Sequence, residues 1–147
     1  MNKSINEKHL EFLQNNISRM NQCSFQMKGW AITLASALVA VFAATFSTDC
    51  SRGNRIYIIV AITSTVLFWM LDSMYLSKER KFVGMYNDVI GISNGTKQKR
   101  QPLADYEIEM KKYHSWKYCI LRAMISPTEI ILYALMIIGL VTLAILA

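Results

Sequence analysis

The stretch IILYALMIIGLVTLAILA, residues 130–147, decides the fold. It carries no charged residue, and it is as long as the roughly 18 apolar residues that a helix needs to cross a hydrocarbon core about 30 Å thick. Two further runs read the same way. No charge occurs from Gly29 to Phe46, or from Ile56 to Leu71, and the latter extends to Leu76 if it absorbs one acid, Asp72. Hydrophobic residues make up 53% of the 147, yet the formal net charge is +6. A chain that is both apolar and basic must segregate the two characters along its length, and here charges cluster between the runs. The first run begins too late for a signal peptide, and no cleavage pattern precedes Thr48 and Asp49, so it is expected to be retained. The expected fold is all-α, an integral membrane protein with three transmembrane helices and cytoplasmic helical extensions.

Basic residues set the orientation by the positive-inside rule. Lys3, Lys8, Arg19 and Lys28 precede the first span, and Arg52 and Arg55 follow it. The segment between the second and third spans runs from Lys78 and Arg80 to Lys117 and Arg122, and nothing basic follows the third. The N-terminus and the central segment are therefore expected on the cytoplasmic side of the membrane. The resulting plan is an amphipathic N-terminal helix over 1–28, a span over 29–47, a short external turn over 48–55 and a second span over 56–76. A cytoplasmic helical hairpin over 77–125 follows, with a basic loop at 91–103, and then a third span over 126–147.

Leu10, Leu13, Ile17, Met20 and Met27 recur at helical spacing opposite an amide-rich face, Gln14, Asn15, Asn21, Gln22 and Gln26. Such a helix suits the membrane surface, with Trp30 at the interface, or a partner helix. The amide-rich face favours protein contact. Within the first span, Ala31 and Ala35 form one small-xxx-small pair, and Ser36, Ala40 and Ala44 continue another. Small residues let helix backbones approach closely in lipid. They serve either intrachain packing or a symmetric, pore-facing assembly. An acid inside a span is by default a functional candidate. Asp72, with Glu79 and Arg80 farther along the same helix, is the expected polar cluster at the inner mouth; the plainer reading pairs Asp72 with Lys28 or Arg80. A helix over about 78–89 and another from about Ala104 to Ile125 form the hairpin. Lys97, Lys99 and Arg100 are expected to meet lipid headgroups. Ser126-Pro127-Thr128-Glu129 is a helix start with proline in the first turn.

Catalytic chemistry is not evident. His9 and His114 have no nucleophile or second ligand in register, and no phosphate loop or zinc spacing occurs. Cys23, Cys50 and Cys119 are isolated, and the topology puts Cys50 on the far side from the others, so a disulfide is not expected. The reading is not an enzyme, with no cofactor and no metal.

The blocks Ser24-Phe25-Gln26-Met27-Lys28-Gly29-Trp30 and Phe68-Trp69-Met70-Leu71-Asp72-Ser73-Met74-Tyr75-Leu76, followed by Glu79-Arg80-Lys81-Phe82 and Tyr86, resemble small, mostly uncharacterised bacterial membrane proteins. In architecture the chain is similar to the SLATT class and to the membrane accessories of RADAR and type VI-B CRISPR antiphage systems. The resemblance implies a homo-oligomer that perforates or depolarises the inner membrane on infection. The alternative is a non-conducting scaffold that recruits a soluble defence partner through its cytoplasmic helices. A ribonuclease-like Arg/His motif found in one such accessory is missing here, so no nuclease role follows, and membrane lipids rather than nucleic acid are the expected contacts.

Overall fold

The computed structural model describes residues 3–45, 55–90 and 116–146. Among them are four α-helices, α1 (Lys3–Ala44), α2 (Ile56–Ile90), α3 (Ile120–Met124) and α4 (Pro127–Leu146), with a short 3-10 turn at Trp116–Tyr118 and no strand. The chain is all-α, and α1, α2 and α4 are each long and apolar enough to cross a membrane. The β-branched run that opens α2, Ile56 to Val60, has modest helix propensity. In hydrocarbon every backbone N–H and C=O must be satisfied within the segment, and that requirement overrides propensity. The hydroxyls obey the same constraint: Thr33 donates to the Gly29 carbonyl at 2.9 Å, Thr63 to Ile59 at 2.9 Å and Ser73 to Trp69 at 2.7 Å. Each of these polar side chains is thereby satisfied within its own helix.

Two helices are much longer than a bilayer. The 42 residues of α1 and the 35 of α2 span about 63 Å and 52 Å at 1.5 Å per residue, against a core of about 30 Å. The amphipathic segment and the first span are thus one continuous helix, and its N-terminal half packs on this chain's own α2. Leu13 is buried with Phe82 and Met85, flanked by Ile17, Met20, Tyr86, Val89 and Tyr118. Gln14 from the amide face reaches the Tyr86 hydroxyl at 3.3 Å. At the other end Phe42, Ile58, Ala61 and Leu140 form a second cluster. The end of α1, the start of α2 and the distal half of α4 therefore lie together, so the three spans run up, down and up.

The face of α1 that carries Ser24, Lys28, Ala31, Ala35 and Phe42 follows a three- and four-residue spacing, and all but Lys28 are buried. It is the seam along which α1 meets α2. Large apolar residues point the other way: Ile59, Leu67, Ile131, Leu135, Ile138 and Ile145 are all exposed. An apolar exterior around a partly polar interior suits lipid as the surrounding solvent.

One expected element takes a different form. The helix from about Ala104 to Ile125 is, in its described part, a 3-10 turn, an extended Cys119 (φ −73, ψ 143) and the five residues of α3. The Ser77 hydroxyl donates to the Tyr118 carbonyl at 2.6 Å. That bond from α2 accompanies the break and ties the connection to α2. The basic loop at 91–103, with Lys97, Lys99 and Arg100, lies outside the described residues, as do residues 48–54 of the external turn. The third span begins at Pro127, whose missing N–H is harmless in a first turn. The Ser126 carbonyl accepts from the Ile130 N–H at 2.9 Å.

Ala61 is fully buried between helices, so Ala61→Leu should overpack the seam. The expected loss is about 1–3 kcal/mol, read as a lowered unfolding midpoint in denaturant titrations of the reconstituted protein.

Candidate functional site

Three charged residues that stand at the same end of three different spans meet in one cluster. Lys28 comes from α1, Asp72 from α2 and Glu129 from the first turn of α4. The Lys28 ammonium lies 2.6 Å from Asp72 Oδ2 and 2.8 Å from Glu129 Oε1. It donates its third hydrogen bond to Ser24 Oγ at 2.8 Å. An ammonium has three donors and no acceptor, so all three are used, and they point at groups from three helices.

Asp72 is fully buried, with 0% exposure. Besides the ammonium, it accepts a 2.5 Å hydrogen bond at Oδ1 from the Ser24 hydroxyl and a 3.0 Å bond at Oδ2 from the Tyr133 hydroxyl. Three donors around one carboxylate are what its burial in apolar surroundings requires. Tyr133 is held by the Trp69 ring, stacked at 5.9 Å between centroids and 15° between planes. It lies one turn after Glu129, so one face of α4 supplies both groups. Glu129 is 2% exposed, and its second oxygen, Oε2, has no hydrogen-bond partner among the described residues; neither has the buried Trp69 indole N–H.

Electrostatically the centre holds two carboxylates against one ammonium. Asp72 and Glu129 are buried and the Lys28 side chain is 23% exposed, so solvent screens the pairing only in part. Removing the ammonium leaves two acids facing each other with nothing between them. The arrangement can fasten three spans at one depth and orient their faces. No group of His, Cys, Asp and Glu among the described residues could hold a metal ion.

The candidate residues from the sequence distribute as follows. Asp72 sits at the centre of the cluster and takes Lys28 as its ion-pair partner. Arg80 turns elsewhere, donating to Ser126 Oγ at 2.9 Å and so tying α2 to the start of α4. Glu79 is half-buried on α2, within the fields of Arg80 and Lys28, and no described hydrogen bond joins it to Asp72. Ala31 and Ala35 are buried at 1% and 6% exposure, whereas Ser36, Ala40 and Ala44 face outward. Sequence reasoning missed Ser24, Glu129 and Tyr133 as site residues. A usable signal was present: Lys28, Asp72 and Glu129 each lie within a few residues of a span boundary at the same end, and Glu129 and Tyr133 share a face at i, i+4. The stretches Ser24–Trp30 of α1 and Phe68–Leu76 of α2 meet here.

Lys28→Met should destabilise the protein by about 3–5 kcal/mol, the usual consequence of stranding a buried charge. Lys28→Met/Asp72→Leu/Glu129→Gln, which removes the whole charge set, should recover a large part of that loss. Denaturant unfolding of the three-span protein in lipid checks both; a triple variant less stable than Lys28→Met would contradict the charge argument.

Compared with protein-family models, with curated proteins and with solved structures, the chain matches none.

Proposed function

We propose that the protein is an oligomeric membrane effector of a bacterial antiphage defence system, which perturbs or perforates the inner membrane with its N-terminus in the cytoplasm. The observation that carries this reading is the division of the first span into two small-residue faces. One, through Ala31 and Ala35, is consumed by packing within the chain. The other is outward: Gly29, Thr33, Ser36, Ala37, Ala40, Ala43 and Ala44 are all exposed. A Cβ built on Gly29 would meet nothing within 4 Å. A row of small side chains gives a lone helix little dispersion contact with lipid, but it lets a second helix approach closely. The outward row therefore supports association of copies along α1, and the likeness to defence-associated membrane accessories supports the setting.

On this reading the Lys28–Asp72–Glu129 centre is a fastener that keeps each subunit's three spans in register while the α1 rows meet. Asp72, Glu79 and Arg80 then lie toward the inner mouth. A soluble partner, in this scheme, is met from the cytoplasmic side.

Mass measurement in lipid nanodiscs should give a multimer, and a strictly monomeric protein would sink the proposal. Replacing Ser36 and Ala40 together by Leu should weaken assembly by about tenfold or more, because the larger side chains hold the backbones apart. Dye and ion leakage from liposomes should rise steeply with protein density for the native chain and fall with the Leu pair. Tight vesicles around a confirmed multimer would favour a non-conducting scaffold.

A further inference from the structure

A separate cavity of about 350 Å³ lies where α2 passes out of its apolar stretch. One wall is a single face of α2, Met74, Ser77, Lys78 and Lys81, at three- and four-residue spacing; the other is the connection that leads into α3, with Trp116 and Ile120. The Ser77–Tyr118 hydrogen bond, 2.6 Å long, pins that connection against α2. The volume is within the range of ligand clefts, roughly 300–1,000 Å³.

Its chemistry is divided. Met74 and Ile120 provide an apolar side. Lys78 and Lys81 add two cations, and no carboxylate is among the described lining residues. The Lys78 ammonium lies 5.9 Å from the centre of the Tyr75 ring. Trp116 is 66% exposed at the rim, and Trp and Tyr are the side chains that settle at headgroup level. Depth agrees with this. Lys78 follows the buried Asp72 by six residues, about 9 Å along a helix axis, which carries it from the edge of the apolar stretch to the headgroup layer.

We propose that this cavity is a binding site for an anionic phospholipid. Lys78 and Lys81 hold the phosphate, Trp116 borders the headgroup, and the first part of an acyl chain lies along Met74 and Ile120. A soluble phosphorylated molecule would match the lysines but would leave the apolar side unused. An amphiphile matches both, and it reaches the site laterally from the bilayer. The proposal depends on no assumption about pore formation.

The experiment is native mass spectrometry of the full chain, exchanged from detergent with phosphatidylglycerol or phosphatidylcholine. Phosphatidylglycerol should be retained about thirtyfold better, the preference that two lysines near a surface contribute at ~1 kcal/mol each. Lys78→Gln/Lys81→Gln should abolish the preference, Lys78→Arg/Lys81→Arg should keep it, and Lys8→Gln on the far part of α1 should leave it unchanged. Both lysine positions are at least partly exposed, and circular dichroism of each variant establishes that the helices are intact. Equal retention of the two lipids, or an undiminished preference in the Gln pair, overturns the proposal. Displacement of the lipid by millimolar glycerol phosphate overturns it in favour of a soluble phosphorylated ligand.

Discussion

The structure depends on one ammonium shared between two carboxylates. Lys28 holds Asp72 at 2.6 Å and Glu129 at 2.8 Å, and no two of these residues are on the same helix. Apolar packing within a bilayer is weakly directional, because lipid tails compete on nearly equal terms with the side chains of a neighbouring helix. A charge that must find its counter-charge has no such freedom. Each span can slide or rotate only as far as the cluster permits, and the long axis of the molecule is organised from that level outward.

Around this centre the remaining interactions work in a graded way. Ser24 and Tyr133 complete the shell of donors to Asp72, and Trp69 holds the Tyr133 ring in place. On one side of the centre, toward the distal ends of the spans, packing turns apolar, with Phe42 and Leu140 against Ile58 and Ala61. On the other, α1 and α2 leave the apolar layer together and bury Leu13 with Phe82 and Met85. Here water surrounds the helices and apolar burial regains its ordinary driving force. Arg80 and Ser77 stitch the junction, one to Ser126 before α4 and the other to Tyr118 before α3. A functional reading in which subunits associate through α1 draws on this division: the polar centre and one small-residue face are spent inside the chain, and the opposite face is left outward.

Much of the fold was legible because the signals behind it are local. A charge-free run from Ile130 to Ala147 needs no partner to be read as a span, and Ser126-Pro127 announces its start from chain chemistry alone. The stripe Leu13, Ile17 and Met20 likewise marks a buried face. Its partner was harder to read, since Phe82, Met85 and Val89 form a stripe of the same kind and nothing in either says that the two belong together. The helix expected up to Ile125 breaks at Cys119, and the Ser77 bond to the Tyr118 carbonyl that accompanies the break comes from a distant part of the chain, beyond any local pattern.

By itself, then, the sequence determined the all-α class and the number of helices long and apolar enough to span, both consequences of the bilayer's thickness. Tertiary structure decided which face of each span looks inward. A span that is apolar all round has no strong periodicity to reveal its buried side, so Ala31 and Ala35 could not be told from Ala40 and Ala44 by composition. It also decided that Glu129, read along the chain as a residue of a helix start, closes an ion-paired centre with Lys28 and Asp72. That follows only when three helices stand side by side at one depth, where electrostatic attraction acts across space rather than along the chain.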